Sequence, residues 1–527
     1  MVKLTIDRKP AEVKDGVSIM EAAASLGITI PSMCFQPGFS NHPSCMVCLV
    51  KDLDRENLVP SCAMPVSDGM NILTDSYEVK EARREALELL LSDHVGDCEA
   101  PCRLSCPASM DIPLMNRLIA SGNFEQAVQI VREEIAIPLV LGYICPAPCE
   151  KACKRKQIDQ AVSICLLKRS AAQFGSRENS GLFDHLRNNE KKVAIIGTGP
   201  AGLSTAFYLL RSGHSCVLYD QHEKAGGAMR FDIPDDQLPK DILDAEIEII
   251  QKMGAEFRLG VLVTKELFQN SILPLFDAVI LAPGNMKSNR PETFGIQPDE
   301  WGVFVDKKKF TTSIPGVFAC GNIIREQKMA VHSVAQGKLA AKQVELFLGT
   351  SIPSPKQPEF NSAIGQLLEP EWKEYLKESI PDQRVEPSSG NLKGFTPEEA
   401  VHEAKRCLHC DCRKPVSCKL RIYADEYGAN RKRFASPERK LLTRSVQHDL
   451  VVYETEKCIR CGLCVEITEK HDESIGLTFV SRGFDVRISV PFNQTTKEAL
   501  TKTARECVKG CPTGALAFKS REERNSI

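Results

Sequence analysis

The sequence predicts a multidomain chain of mixed α/β and α+β class, and three observations carry that prediction. The first 75 or so residues alternate apolar and polar in the β manner before a capped helix. Lys191 to Leu210 run from a buried strand through a glycine turn into a helix. The 22 cysteines stand almost entirely in short-spaced groups. A length of 527 residues suits three or four domains with several buried cores.

Composition excludes several classes. The formal net charge of −2, with no basic patch, argues against nucleic acid and anionic membrane as partners. Met1 to Pro10 carry charges and no apolar core like a signal peptide's, and the longest apolar stretch, Ile135 to Cys145, is broken by Pro138 and too short to span a bilayer. A soluble, cytoplasmic protein is expected. Disulfide frameworks belong mainly to oxidising compartments, so cysteines two to four residues apart read as ligands closing on metal, in the manner of iron–sulfur clusters.

Val2, Leu4 and Ile6 open a strand, Lys9-Pro10 are expected to turn, and Glu12-Val13 begin the return strand. Ser18 then caps a helix with Met20, Ala22, Ala23 and Leu26 on one side, ending at Gly27. Behind it stand Cys34, Cys45, Cys48 and Cys62. This pattern resembles the [2Fe–2S] ferredoxin domain of the large peripheral-arm subunit of respiratory complex I and of iron-only hydrogenases. The resemblance implies a β-grasp domain over residues 1–78 with those four cysteines as ligands.

A charged amphipathic helix from Tyr77 to Leu91 leads into His94-x3-Cys98-x3-Cys102-x3-Cys106, followed by Cys145-x3-Cys149-x3-Cys153 and by Cys165. Residues 79–185 are similar to the helical two-cluster domain of the glutamate synthase small subunit, dihydropyrimidine dehydrogenase and ferredoxin-linked transhydrogenases. In that family the two halves interleave. The resemblance implies that Cys106, Cys145 and Cys149 hold one [4Fe–4S] cluster and that Cys102 and Cys153 belong to the other. This chain has one cysteine fewer before Cys102, which leaves Cys98, with His94, to complete the site; His94-x3-Cys98 also resembles the histidine ligand of the complex I large subunit. The family's non-cysteine ligand falls near Lys168, which cannot ligate while protonated. Cys165 is the expected substitute, the alternative being a buried structural cysteine.

In residues 186–348, Gly197, Gly199 and Gly202, with Pro200 and Ala201 between them, form the turn of a first βα unit, where backbone N–H groups meet a pyrophosphate. The next strand ends at Asp220, whose carboxylate can accept from a ribose. Gly226-Gly227, Arg230, Gly284 and the segment ending Gly321-Asn322 resemble the FAD half of the same family, with Asn322 in place of the usual aspartate. FAD is the implied cofactor. The family's second dinucleotide domain, for NADPH, would be inserted after Asn285, but only thirty-four residues separate Asn285 from Cys320 and no second glycine fingerprint occurs. A Rossmann-like FAD domain lacking its NAD(P)H subdomain is expected. Cys216 and Cys320 read as ordinary small buried residues.

Residues 349–396, rich in proline from Pro353 to Pro387, read as a linker with a short helix near Trp372 to Lys377. Residues 397–445 contain Cys407, Cys410, Cys412 and Cys418, four thiolates in twelve residues for a [4Fe–4S] cluster or zinc. In residues 446–527, Cys458, Cys461 and Cys464 precede a β-rich insert and Cys511-Pro512-Thr513-Gly514. That ending resembles the ferredoxin-like [4Fe–4S] domain of the complex I large subunit and implies Cys458, Cys461, Cys464 and Cys511 as ligands, with Cys507 left over.

The mosaic resembles subunits of flavin-based electron-bifurcating enzymes. It implies one [2Fe–2S] cluster, about four [4Fe–4S] clusters and FAD in a cytoplasmic, anaerobic electron-transfer subunit, with no catalytic residue of its own. Expected partners are complex I-like NADH/FMN and thioredoxin-like [2Fe–2S] subunits, a hydrogenase foremost or a formate dehydrogenase as terminal enzyme, and ferredoxin. Two alternatives stand beside it: a self-contained NAD(P)H:ferredoxin oxidoreductase of the transhydrogenase type, and a scaffold with a vestigial flavin fold.

Overall fold

The computed structural model describes residues 1–40, 42–175, 189, 191–286, 294–300, 302–351, 358–436 and 438–519. The chain divides into two compact units. The first comprises Met1–Ala100, Lys356–Glu378 and His409–Ile527; the second comprises Pro101–Pro355 and Ser379–Leu408. The second unit is therefore an insertion, in sequence, into the first.

The first unit opens with β1 (Val2–Ile6), β2 (Lys9–Val13), β3 (Leu49–Asp52), β4 (Asn57–Pro60) and β5 (Asn71–Leu73), in the order β2-β1-β5-β3-β4. β1 is antiparallel to β2 and parallel to β5. The hairpin turns at Asp7-Arg8, both at positive φ, and not at Lys9-Pro10 as expected. Two such residues close the tight turn that matches strand twist. Pro10 pairs opposite Thr5 on an edge strand, where its missing N–H is tolerated. Ser18 caps helix Ile19–Ser25 as expected: Glu21 N–H donates to Ser18 Oγ at 3.2 Å, and Ser18 N–H donates to the Glu21 carboxylate at 2.8 Å. Alternate strand residues Val2, Leu4 and Ile6 bury against this helix, with Val50, Val59 and Ile72.

In the second unit β6 (Lys192–Ile196), β7 (Ser215–Tyr219), β8 (Glu256–Arg258), β9 (Ala278–Leu281) and β10 (Val317–Ala319) pair in parallel, in the order β10-β9-β6-β7-β8. Both faces are covered, so β6 is apolar nearly throughout. Val193 and Ile195 enter one core, and Ala194 and Ile196 the other. Among the described residues there is no second parallel sheet. Helices Pro200–Arg211 and Ala330–Leu348 cross closely because residue 337 is glycine; a Cβ there would lie 2.4 Å from the Ala201 carbonyl oxygen. Helices Ile112–Ala120, Phe124–Glu134, Pro138–Ile144 and Ile164–Phe174 share a core with this sheet's first face, so the two domains expected on either side of residue 185 are one packed body. That boundary itself lies outside the described residues.

The first unit resumes with β11 (Arg444–Ser445), β12 (Val451–Glu454), β13 (Thr478–Val480), β14 (Arg487–Ser489) and β15 (Leu516–Phe518), forming a three-stranded sheet β11-β12-β15 and a hairpin β13-β14. The strap or linker expected over residues 349–396 carries a short helix in its described part; Pro353 and Pro355 lie outside the described residues. Helix Glu369–Leu376 buries Glu371 completely, paired with Arg439 and accepting the Leu442 N–H at 2.9 Å. No helix among the described residues is long and apolar enough to cross a membrane.

Candidate functional site

Cys34, Cys45, Cys48 and Cys62 are all buried. Cys34 Sγ and Cys45 Sγ lie 3.4 Å apart, and Cys62 contacts both Cys34 and Cys48. These contacts hold Cys34 far toward thiolate and push its partner Cys45 toward thiol, while the Cys62 contact brings Cys48 down to about 7. These four side chains are the ones placed to hold a metal centre in this domain.

Cys458, Cys461, Cys464 and Cys511 line one cavity with Tyr453, Ile488 and Thr513. Left-handed Arg460 and Gly462 wrap the loop around it, and Arg460 N–H donates to Cys458 Sγ at 3.3 Å. Burial raises the Cys458, Cys461 and Cys464 thiols, Cys458 to about 11. Such a cavity favours sulfur bound to a metal over free thiolate. The leftover Cys507 is buried and donates to the Cys464 carbonyl.

Cys98, expected to complete a central site, makes its described contacts within the first unit. Its N–H donates to the Ser362 carbonyl at 2.9 Å, its Sγ accepts the Ser362 N–H at 3.3 Å, and its carbonyl accepts the Cys412 N–H at 3.2 Å. Burial raises the Cys98 thiol to about 11 and the Cys418 thiol to about 12, and Cys412 beside both, with Cys98 beside Cys418, adds to the rise. His94 Nδ1 is buried with no hydrogen-bond partner, and burial and the Lys457 ammonium bring the ring down to about 3, so it is neutral. Lys457 is the common neighbour of His94, Cys98 and Cys412, its side chain crossing Gly96 and its Nζ donating to Glu454 at 2.5 Å. Gly514 backs the site: a Cβ there would lie 2.3 Å from Cys412 Sγ.

Of the expected four-thiolate set in residues 407–418, Cys412 and Cys418 lie with Cys98, and Cys410 faces Tyr375 and Arg444. His409, at φ +49, turns the backbone just ahead of Cys410.

In the second unit Cys106, Cys145, Cys149 and Cys165 line one cavity, with Lys168 at its wall. Ala147, at φ +49, bends the chain so that Cys145 and Cys149 face inward together. Contact with Cys165 lowers the Cys145 thiol to about 5, and burial raises Cys149 to about 12. The Cys165 N–H donates to Glu150 at 2.9 Å, and Glu150 also pairs with Arg384 at 3.2 Å. Cys102 lies on helix Pro101–Ser105, which packs on helix Pro148–Lys151 just ahead of Cys153. Cys153 is near Arg406, the residue before Cys407.

Glu403 and Arg406 form an ion pair at 2.9 Å with both side chains fully buried. Glu403 also accepts the Ser163 and Val385 N–H groups, each at 2.8 Å, which fixes the start of the Cys165 helix. Removing one partner of such a pair leaves an uncompensated buried charge and costs about 3–5 kcal/mol. Glu403→Ala is expected to lower the denaturation midpoint accordingly and to lose iron from the second unit, measured by denaturant titration with iron analysis. Among the described residues no three His, Cys, Asp or Glu side chains close to the spacing of a single bound ion.

The glycine turn is built as its sequence requires. Gly197, at φ +108, passes 2.2 Å (as a built Cβ) from the Ala282 carbonyl, Gly202 packs on the Gly197 carbonyl, and Gly227 lies against Gly199. A Cβ on Gly199 or Gly284 meets nothing within 4 Å, leaving open backbone on one side of the turn, as a dinucleotide needs. Ala201 packs beside Gly321, Pro200 starts the helix, and Asn322 Oδ1 accepts the Gln327 N–H. Arg230 is tied to Asp244 and to the Ala225 carbonyl. The carboxylate of Asp220 is engaged by its own chain: it accepts the Thr198 N–H (2.8 Å) and hydroxyl (2.6 Å), the His222 N–H (3.0 Å) and contacts the His222 ring (2.9 Å). Four partners match the capacity of a carboxylate. A ribose hydroxyl must displace one, and the half-exposed His222 ring is the one free to swing.

Three family models match parts of the chain: a 2Fe-2S iron–sulfur cluster binding domain over residues 1–77, dihydropyrimidine dehydrogenase domain II, 4Fe-4S cluster, over 70–180, and an NAD(P)-binding Rossmann-like domain over 195–255. Among curated proteins the chain is 35% identical over 206 residues to the NADPH-Fe(3+) oxidoreductase subunit beta of Geobacter sulfurreducens, covering 38% of this chain and 30% of that one. It is 33% identical over 238 residues to the NADP(+)-dependent formate dehydrogenase subunit beta of Moorella thermoacetica, covering 40% and 33%. It is 32% identical over 234 residues to the NAD-dependent dihydropyrimidine dehydrogenase subunit PreT of Escherichia coli, covering 41% and 56%. The chain thus spans about a third of the length of the first of these relatives and 56% of PreT.

Proposed function

We propose that the chain is an electron-transfer subunit that carries one [2Fe–2S] cluster on Cys34, Cys45, Cys48 and Cys62 and four [4Fe–4S] clusters. Cys458, Cys461, Cys464 and Cys511 hold one; Cys106, Cys145, Cys149 and Cys165 another; Cys98, Cys412 and Cys418 with the neutral His94 a third; and Cys102, Cys153 and Cys407 ligate the fourth. The observation that carries the reading is that Cys34, Cys45, Cys418 and Cys461, drawn from three different sets, line one apolar core of the first unit. Bound there, the clusters accept and release single electrons, and the residues around them exclude water and keep the path short.

FAD is the dinucleotide we assign to the glycine turn, with Gly197, Gly199 and Gly202 accommodating the pyrophosphate. The absence of a second parallel sheet among the described residues favours a flavin served by another subunit over a self-contained NAD(P)H oxidoreductase. Partner subunits are those of a cytoplasmic electron-bifurcating complex with a formate dehydrogenase or hydrogenase as terminal enzyme. The beta-subunit names of the Geobacter and Moorella relatives support the multi-subunit setting, the Moorella name supports formate dehydrogenase, and hydrogenase rests on the mosaic of motifs.

Anaerobically purified chain is expected to bind about eighteen irons with matching acid-labile sulfide, and to show EPR signals from several clusters on dithionite reduction, with no bleaching of its flavin by NADH or NADPH alone. Iron limited to two or three atoms per chain would overturn the wire, and rapid bleaching by a nicotinamide would restore the self-contained enzyme.

A further inference from the structure

Lys168 is the one residue in the wall of the Cys106/Cys145/Cys149/Cys165 cavity that carries a positive charge. Helix Ile164–Phe174 places it three residues beyond Cys165, and it is 4% exposed. Its Nζ donates to the Leu141 carbonyl at 3.0 Å, and among the described residues no carboxylate pairs with it. The nearest acid to these sulfurs, Glu150, is already taken by Arg384 and the Cys165 N–H. The contrast with Lys457 in the first unit is direct, since that ammonium is neutralised by Glu454.

A buried, uncompensated ammonium carries a penalty of several kcal/mol. The groups facing Lys168 across the cavity are the four cysteine sulfurs. Four thiolates on an iron–sulfide core leave a net negative charge that deepens by one on reduction, so a fixed cation at this wall stabilises the reduced form more than the oxidised one. Val331, which begins the long helix packed on the dinucleotide turn's helix, also lines the cavity, so this is the centre beside the dinucleotide domain.

We propose that Lys168 is the built-in counter-ion of this centre, a positioning residue that raises its reduction potential and makes it the first resting place for an electron in the second unit. The inference rests on the assignment of a [4Fe–4S] cluster to these four cysteines. The step is the addition of one electron; no bond forms or breaks, and Lys168 keeps its proton throughout.

The test is a mediated redox titration of the anaerobic holo chain, followed by EPR, for wild type, Lys168→Met and Lys168→Arg, with dithionite as the electron source. Lys168→Met is expected to shift one midpoint negative by a factor of at least ten in the one-electron equilibrium constant, which is 59 mV, while the other centres stay put and Lys168→Arg stays near wild type. Full iron content with every midpoint unmoved in Lys168→Met overturns the proposal. Should the methionine variant lose this cluster, Lys168→Gln and Lys168→Arg decide: iron retained with arginine alone supports a charge requirement, and iron retained or lost equally in both overturns it. A wild-type chain without iron at these cysteines sinks the cluster assignment instead, so the two failures are distinguishable.

Discussion

Cys98→Ala and Cys418→Ala are expected to abolish the same EPR signal and the same quantum of iron, and the double variant to lose no more than either single one. Residues that act as one unit are grossly non-additive, whereas independent sites add. Cys98 and Cys412 are joined through a backbone hydrogen bond of 3.2 Å, and Cys98, Cys412 and Cys418 face one another in a buried site. If each variant removed a different signal, with losses adding in the double, the set would be wrong. Cys458→Ala is the control, since Cys458 lines a separate cavity of the same unit and should leave this signal in place.

The second large effect is expected at the dinucleotide turn. Gly197 holds φ +108, and a Cβ there would sit 2.2 Å from the Ala282 carbonyl oxygen, inside any real contact distance. Neither the backbone strand end nor the conformation can yield cheaply, because non-glycine residues at such φ are strained. Gly197→Ala should strip the purified chain of flavin, measured by fluorescence after acid extraction, and should destabilise the second unit by about 2–4 kcal/mol. The [2Fe–2S] signal of Cys34, Cys45, Cys48 and Cys62 should persist, because those residues belong to the other unit. Normal flavin content in this variant would remove the turn from the site.

Much of the site was legible where ligands are local. Cys458, Cys461, Cys464 and Cys511-Pro512 converge as their motif implies because one short helix and one returning strand suffice to bring them together. Cys165 was recognisable because a lysine stood where a ligand was wanted and a thiol lay one turn before it. The pairing of Cys98 with Cys412 was not, since spacing carries information only over a few residues and a whole folded unit intervenes. The signal was there in halves: His94-x3-Cys98 lacked partners, and Cys412-x5-Cys418 stood at the end of a group with more spacing patterns than one. Proline misled at one place: Pro10 was read as a turn although an edge strand tolerates it. Asp220 was read as waiting for a ribose, and only coordinates reveal that Thr198 and His222 already hold it.

Because the second unit interrupts the first between Ala100 and His409, cysteines that lie together in the first unit are made far apart in time. Ribosomes deliver about 5–20 residues per second, so the sulfurs following Cys98 by about 300 residues emerge roughly 15 to 60 s after it. Cys34 to Cys62 meet one another almost at once, whereas Cys98 waits as a free thiol until the intervening body has been made. On the ligand sets proposed above, a centre shared by Cys98, Cys412 and Cys418 is completed only after that body has been synthesised.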